Sequence, residues 1–274
     1  MYLIKIIKNY LSGRTFQVSL NNTTSIEKTV GAGSILGPIL FNIFTSDIPP
    51  LPDGGVLSLF ADDTAVAYKG RIIRPLVAKL QKGLDVLAEY FANWKVCINA
   101  AKTQPIIFPH SKFQRLVPPD DFRIRSGGAT IDWSNGVVYL GMTLDSRLLF
   151  RAHTDNIKIK CNILIRSLYP LINRRSRLSL KNKLAVYRQV IFPVIAYAMP
   201  VWDCCANTHK QKLQVIQNKI LKMILNLPPW TRTSEVHDLA CIDPLNTAIE
   251  KHQSRFRTAC LHSTIPEIRA LAVE

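Results

Sequence analysis

The sequence predicts an α+β protein whose second half is mainly helical and basic. Two apolar runs enclose Asp62 and Asp63, which is typical of a β-hairpin. Apolar residues recur with a helical period between Ile72 and Trp94, and long helical patterns rich in Lys and Arg follow Asp145. A chain of 274 residues that is 47% hydrophobic and 20% charged is long and apolar enough to bury a core.

The segment before the hairpin predicts a strand and a helix. Side chains alternate over Arg14–Leu20, which indicates a strand. Further along, Gly31–Ser34 precedes an apolar run, and Ser34 is a suitable N-cap. We therefore predict a helix over Ile35–Asp47, ended by the prolines at 49 and 50.

The predicted hairpin runs from Val56 to Tyr68 and places two carboxylates at its turn. Asp-Asp is unfavourable there, because like charges repel and Asn-Gly or Asp-Gly would relieve the backbone. Hard cations such as Mg²⁺ bind carboxylate oxygens. We therefore predict a bound divalent cation at Asp62 and Asp63; an ordinary surface turn is the alternative. The apolar flanks predict that the hairpin is set in a core.

The helix predicted over Ile72–Trp94 has one apolar face, formed by Leu76, Leu80, Leu84, Leu87 and Phe91. Short strands separated by Pro, Gly, Ser and Asp are then predicted at Pro105–Phe108, Phe122–Arg125 and Val137–Leu144.

The region from about 150 to 226 predicts three helices, with breaks near Asn173–Ser179 and Asp203–Thr208. Ser179 and Thr208 are the predicted caps of the second and third helices. The tail from Thr231 is helical only in patches. The predicted domains are residues 1–145, 146–227 and 228–274.

The charge of the chain predicts a polyanionic partner. The formal net charge is +16, and the stretch Arg147–Arg188 holds eleven Lys or Arg against one acid, Asp155. Such an excess is typical of proteins that bind nucleic acid or an anionic membrane. A membrane is disfavoured because the basic helices lack an aromatic-rich amphipathic face.

No membrane span or signal peptide is predicted. The longest uncharged run, Gln189–Trp202, is short and contains two prolines, and lysines interrupt the apolar residues of Met1–Lys8. The six cysteines form no C-x-x-C pair or familiar zinc spacing. We expect reduced, mostly buried thiols in an intracellular protein, nuclear or cytoplasmic.

The order of the motifs resembles the reverse transcriptases of non-LTR retrotransposons of the LINE class, and most closely those of jockey-like elements. Gly33–Phe44, continuing to Pro49, is similar to motif B, and Phe60–Ala65 is similar to motif C. Trp94–Asn99, with Lys102 and Thr103, is similar to motif D and its approach, and Val138–Asp145 is similar to the hairpin that grips the primer end. The family's pattern continues at His153, Tyr197, Val201, Trp202 and Gln214–Lys219.

The resemblance implies an α+β fold: a partial polymerase palm, with an antiparallel sheet and helices, followed by an all-helical thumb and a C-terminal extension. It implies that Asp62 and Asp63 are the catalytic metal ligands, with Mg²⁺ or Mn²⁺ as the cofactor, and that Lys102 is the general acid. The reaction would be metal-assisted attack of a primer 3′-hydroxyl on a deoxynucleotide, with release of pyrophosphate.

The resemblance also implies the binding partners, which are an RNA template, a DNA primer and deoxynucleotides. The residues expected near the nucleotide, template and primer end are Gly33, Ser34, Phe60 and Ala61. The residues expected to hold the primer are Tyr139, Leu140 and Gly141. The basic helices after Arg147 would follow the backbone phosphates.

Two features depart from the family pattern. Gly31 and Ala32 stand where the family has Pro-Gln, which removes an amide near the nascent base pair. A further motif A aspartate is expected upstream of motif B, but the thirty residues before Gly31 contain no aspartate, and Glu27 is their only acid. We therefore expect part of a longer reading frame that polymerises poorly alone; the alternative is a non-catalytic nucleic-acid-binding fragment.

Overall fold

The computed structural model describes residues 2–13, 15–20, 23–29, 36–109 and 122–272. The chain divides into two compact units, one of Met1–Thr103 with Asp120–Ile131 and one of Gln104–Pro119 with Asp132–Glu274. Helices and small antiparallel sheets together confirm the predicted α+β class. The three-part division predicted from the sequence stays a prediction.

The described part of the first unit combines three helices with two-stranded antiparallel sheets. Its elements are α1 (Tyr2–Leu11), β1 (Thr15–Phe16), β2 (Ser19–Leu20), β3 (Thr23–Thr24), β4 (Lys28–Thr29), α2 (Gly37–Phe44), β5 (Val56–Phe60), β6 (Asp63–Ala67), α3 (Ile73–Asn93), β7 (Ile124–Ser126) and β8 (Ala129–Ile131). β1 pairs with β4 around the β2–β3 pair, and β5–β6 and β7–β8 are simple hairpins. The single strand predicted over Arg14–Leu20 is therefore divided into two short ones.

Helix α3 lies within one residue of its predicted bounds at each end. Its face against the unit contains Val77, Gly83 and Leu87, all buried. Gln81 binds the backbone of β7 in both directions: its amide nitrogen donates to the Arg125 carbonyl (2.9 Å), and its amide oxygen accepts from the Arg125 N–H (2.8 Å). This pair of hydrogen bonds fixes the β7–β8 hairpin on α3.

The first unit has a small core, and the β5–β6 hairpin is not set in it. In β5, Leu57 alone is even half-buried, whereas Val56 and Phe60 are 62% and 63% exposed. The prediction of a buried hairpin is therefore wrong. Apolar, β-branched runs specify strand pairing, but burial requires a second layer, and β5 pairs only with β6 in the described residues.

No strand forms at residues 105–108, which corrects that prediction. The Pro105 carbonyl accepts one backbone hydrogen bond, from the Ser134 N–H (2.9 Å). Pro105 and Pro109 have no N–H to donate, so a continuous ladder of hydrogen bonds cannot be built across this segment.

The second unit consists of one hairpin followed by helices. Its described elements are β9 (Gly136–Tyr139), β10 (Met142–Asp145), α4 (Arg151–Ile172), α5 (Leu180–Val186), a π-helical turn (Tyr187–Ile191), α6 (Phe192–Ala196), α7 (Met199–Trp202), α8 (Asn207–Leu225), α9 (Thr233–Ala240), α10 (Leu245–Leu261) and α11 (Pro266–Ala270). The first and third predicted helices are α4 and α8, and the middle one is a broken series from α5 to α7. None of the described helices is both long and apolar enough to cross a membrane.

Local chemistry explains the breaks in this series. Pro193 cannot donate within the helix, and the π-helical turn directly precedes it. Ala198 has a positive φ of 50° and precedes α7. Ser179 caps α5 as predicted, because its hydroxyl accepts from the Asn182 N–H (3.3 Å). Thr208 is not a cap, since α8 already begins at Asn207 after Ala206.

The helices of the second unit enclose the larger hydrophobic core, in which α4 packs on α8. Its largest fully buried side chains include Trp202, Tyr187, Phe150 and Met199. Gln217 is also fully buried, and its amide nitrogen donates to the Tyr187 hydroxyl and to the Asp243 carbonyl, each at 3.0 Å. A buried polar group is tolerated when it is satisfied in this way.

All six cysteines are free thiols, but only Cys161, Cys205 and Cys260 are buried. The expectation that the thiols are mostly buried is therefore corrected. Burial raises the pKa of the Cys161 thiol to about 11, so this side chain behaves as a small apolar core residue.

Candidate active site

The turn of the β5–β6 hairpin is formed by Ala61 and Asp62. Phe60 pairs with Asp63, so Asp63 is the first residue of β6 and not part of the turn, which corrects the predicted Asp-Asp turn. Ala61 has a positive φ of 49°, the sign that a type II′ turn requires at its first central residue and glycine normally supplies. A non-glycine residue in this region costs about 1–2 kcal/mol, and such strain concentrates at functional sites.

The two carboxylates are exposed at the end of this hairpin. Neither Asp62 nor Asp63 takes part in an ion pair with any described residue. Carboxylate oxygens suit Mg²⁺ in kind, but no third His, Cys, Asp or Glu of the described residues joins them in a group that could hold a metal. The described residues therefore do not form a two-metal centre by themselves.

Tyr68 anchors the base of the hairpin. Its ring lies between two glycines: a Cβ on Gly55 would lie 2.5 Å from the ring carbon Cζ, and a Cβ on Gly83 would lie 2.2 Å from the hydroxyl oxygen. The hydroxyl is buried without a partner among the described residues, and this burial raises the pKa of Tyr68. The glycines thus form a slot that fixes the end of β6 on α3.

We expect Gly83→Ala to destabilise the chain by about 1–2 kcal/mol. Alanine in a helix interior gains up to about 1 kcal/mol over glycine, but overpacking costs about 1–3 kcal/mol, and the Tyr68 ring has no room to retreat because Gly55 lies on its other side. Urea unfolding followed by circular dichroism measures the change.

The control for this substitution is the double variant with Tyr68→Phe, which removes the nearest clashing atom. It should recover much of the loss, and the double-mutant cycle reports the coupling. An increase in stability of Gly83→Ala alone would show that the slot does not exist.

Lys102 lies in a turn at Asn99–Thr103. Its backbone N–H donates to the Asn99 carbonyl (3.1 Å), and the Thr103 hydroxyl donates to the same oxygen (2.9 Å). The Lys102 side chain is exposed, and no ion pair among the described residues joins it to Asp62 or Asp63. Its role as general acid stays a prediction.

The helix of the predicted motif B begins at Gly37, not Ile35, and ends at Phe44, before the predicted Asp47. Gly33 and Ser34, with Gly31 and Ala32, lie outside the described residues. The end of α2 is fixed on α3: the Tyr90 hydroxyl donates to a carboxylate oxygen of Asp47 (2.5 Å), and Phe44 packs edge-on against Trp94. Desolvation, with the Asp47 hydrogen bond and charge, raises the pKa of Tyr90 to about 12.

The turn at Tyr139–Gly141 joins β9 to β10 in the second unit. Tyr139 pairs with Met142, and the turn residues Leu140 and Gly141 both have positive φ (46° and 77°), as in a type I′ hairpin. The Tyr197 hydroxyl donates to the Leu140 carbonyl, and the Tyr197 ring lies against Gly141. The turn is therefore fixed to the junction between α6 and α7.

Side chains of α4 hold the base of this second hairpin. The Thr143 N–H donates to Nδ1 of His153 (3.3 Å), and the Asn156 amide donates to the Thr143 hydroxyl (3.1 Å). Burial, together with the charge of Lys160, lowers the pKa of His153. A neutral imidazole can accept the Thr143 hydrogen bond, which agrees with this direction.

The predicted site residues thus form two groups. Phe60, Ala61, Asp62 and Asp63 are brought together at one hairpin, and Lys102 belongs to the same unit. The three residues Tyr139–Gly141 are brought together at the other hairpin, which belongs to the second unit.

The basic stretch of the second unit is presented to solvent. Ten of its eleven Lys and Arg residues between 147 and 188 are exposed; Lys183 is buried and donates to the Asn173 carbonyl (2.7 Å). The single acid, Asp155, is paired with Lys212 (3.0 Å), which lowers the pKa of that carboxyl. The positive charge is therefore exposed and little neutralised.

Residues 2–144 match the model of the family described as reverse transcriptase (RNA-dependent DNA polymerase). The chain belongs to this family. The matched region covers the β5–β6 hairpin and all but the last residue of the β9–β10 hairpin, and it ends just before the helical part of the chain.

A probable RNA-directed DNA polymerase from transposon X-element of Drosophila melanogaster is similar to this chain, with 30% identity over 92% of the chain and 28% of the relative. An RNA-directed DNA polymerase from mobile element jockey of Drosophila funebris is 34% identical over 85% of the chain and 26% of the relative. The chain therefore spans about a quarter of the length of these relatives. No solved structure gives a significant match to it.

Proposed function

We propose that this chain forms part of the polymerase of a non-LTR retrotransposon, which copies RNA into DNA. The observation that carries the proposal is the strained hairpin turn that presents Asp62 and Asp63 to solvent, in a chain whose first half matches the reverse transcriptase family. Proteins named as RNA-directed DNA polymerases of transposons align with most of its length.

The proposed role of Asp62 and Asp63 is to hold Mg²⁺, or Mn²⁺ in its place, together with a carboxylate from another part of the polymerase. A bound cation would supply charge neutralisation at the transferred phosphate. Phe60 and Ala61 flank the carboxylates and would border the primer end, and Gly33 and Ser34 would border the template and incoming nucleotide. In this proposal Lys102 protonates the leaving pyrophosphate.

The second unit would hold the nucleic acid. The Tyr139–Gly141 turn would contact the primer, and its attachment to Tyr197 supports this role because a fixed turn loses little entropy on binding. The exposed cations of the basic helices support a thumb that follows backbone phosphates. In this reading the first unit with the β9–β10 hairpin corresponds to part of a palm, and residues 228–274 form an extension.

A second function is favoured by a specific observation. Ten of the eleven Lys and Arg side chains between residues 147 and 188 are exposed, whereas the described residues contain no group of three side chains that could hold a metal. The isolated chain would then bind template and primer without extending the primer. An intracellular location, nuclear or cytoplasmic, would follow from such partners.

The test uses the purified chain with poly(rA) annealed to oligo(dT). We expect its affinity to fall steeply as salt rises, because counterions are released on binding, and to be the same in Asp62→Ala. We expect no primer extension with Mg²⁺ or Mn²⁺. Affinity that is insensitive to salt would contradict a nucleic-acid role, and robust extension lost in Asp62→Ala would show that the isolated chain is a complete catalyst.

A further inference from the structure

Trp230 is the most exposed of the large apolar side chains in the described part of the chain, with 83% of its surface accessible. It lies between α8 and α9, outside the β5–β6 and β9–β10 hairpins. Exposing a full indole is unfavourable for a residue type that is usually well buried.

The backbone that carries Trp230 is fixed from several sides. The N–H and the hydroxyl of Thr231 both donate to the Pro228 carbonyl (3.1 and 2.9 Å), which closes a tight turn. Nζ of Lys222 donates to the Pro229 carbonyl (2.5 Å). Two consecutive prolines further limit the freedom of the turn. The indole is thus held on a rigid support, which lowers the entropy lost when a ligand contacts it.

The end of α8 adds to this support. Asn226 adopts the left-handed conformation (φ 56°), and the Leu227 N–H returns to the Lys222 carbonyl (2.9 Å). This arrangement is a Schellman-type helix end. It orients the turn relative to α8, so Trp230 has a defined place beside the last turns of that helix.

The sequence around Trp230 is cationic. Residues 204–234 contain five Lys or Arg and no Asp or Glu. Lys210 and Lys212 are paired with acids elsewhere, but Lys219 and Arg232 are exposed and make no ion pair with the described residues. Lys219 and Lys222 are three residues apart and so lie on adjoining positions of α8. Glu235, in the first turn of α9, is the next acid along the chain.

We propose that Trp230 is a stacking platform for a base of single-stranded nucleic acid, with Lys219 and Arg232 available to meet the backbone phosphates. A flat, rigid aromatic ring among cations is the arrangement that binds single strands without sequence preference. A duplex keeps its bases stacked on each other, so its bases are not available to the indole. A protein partner would be expected to bury the indole within an apolar core depleted of charged residues.

This proposal does not depend on polymerase activity, because it concerns a site outside both hairpins. The experiment measures binding of the full chain to a fluorescein-labelled oligo(dT) of about twelve nucleotides, by anisotropy. We expect Trp230→Ala and Trp230→Leu to weaken binding by about 5- to 150-fold, the range for loss of one base–aromatic stack. Trp230→Phe keeps a π face and should stay within about three-fold of the unaltered chain.

Matched controls separate stacking from other causes. Leu239→Ala removes another exposed apolar side chain of the same unit (54% exposed) and should not change the affinity. The melting temperature of Trp230→Ala should equal that of the unaltered chain, since so exposed a ring contributes little packing. Removing Lys219 or Arg232 should reduce the slope of log affinity against log salt by about 0.7 each, whereas Trp230→Ala should leave the slope unchanged.

Three results would overturn the proposal. One is equal affinity of Trp230→Ala and the unaltered chain. Another is full affinity in Trp230→Leu, which would show that apolar bulk suffices, as at a protein contact. The last is that Trp230→Ala weakens binding to a blunt duplex of the same length as much as it weakens binding to the single strand.

Discussion

Replacing Asp62 with asparagine is expected to reduce primer extension about 1,000-fold in a polymerase that carries this chain. The assay requires a chimera in which the chain replaces the aligned quarter of the jockey polymerase, since the described residues do not complete a metal site. Asparagine has nearly the same shape as aspartate but no charge. Hard divalent cations depend on carboxylate charge, so the variant should lose metal binding while the hairpin keeps its fold.

The matched control is Asp53→Asn. Asp53 lies shortly before β5 and is paired with Lys82 at 3.6 Å on the protein surface. An exposed pair of this kind contributes little, so extension should remain within about two-fold of the unaltered chimera. Equal activity of the Asp62 variant and the Asp53 control would contradict the assignment of the catalytic hairpin. Loss of template binding in Asp62→Asn would also contradict it.

The second large effect is expected in the core of the second unit. Trp202→Ala should lower the free energy of unfolding by about 3–5 kcal/mol, because a fully buried indole is replaced by a cavity. The Trp202 indole N–H also donates to the Tyr197 carbonyl (3.0 Å). Since Tyr197 holds the Leu140 carbonyl, loss of Trp202 should loosen the Tyr139–Gly141 turn as well. Urea unfolding followed by circular dichroism measures the stability.

The neighbouring Val201 supplies the control, because it is 50% exposed. Val201→Ala should change the free energy of unfolding by about 0.5 kcal/mol or less. Trp202→Phe keeps part of the packing but loses some ring volume and the N–H donor, so it should fall between the two. A loss below about 1 kcal/mol in Trp202→Ala would mean that the core can close over the site, against the expected cavity cost.

Local patterns made several elements predictable. The helical period of α3 predicts its ends to within one residue, because its apolar face repeats along most of the helix. Ser179 was predictable as a cap since its hydroxyl acts on a backbone N–H three residues away. The hairpin around Asp62 was also predictable, because apolar strands and a short polar turn are local signals.

Features that depend on distant residues were not predictable. The register that leaves Asp63 in β6 follows from pairing with Phe60, which an adjacent pair of aspartates does not reveal. The exposure of β5 depends on what packs over it. The slot for Tyr68 joins Gly55 to Gly83, and Tyr197 reaches Leu140 across 57 residues. No short window of sequence contains both partners of such contacts.

The exposed β5 strand also affects the tendency of the protein to aggregate. Among the described residues β5 pairs only with β6, which leaves its other edge open. An apolar strand with an open edge is a template for cross-chain pairing, and Val56 and Phe60 add exposed apolar side chains. The net charge of +16 keeps molecules apart at low ionic strength. Concentrated electrolyte removes that repulsion but not the edge. Aggregation should therefore increase at high salt concentration. This is the opposite of the usual behaviour of basic proteins contaminated with nucleic acid.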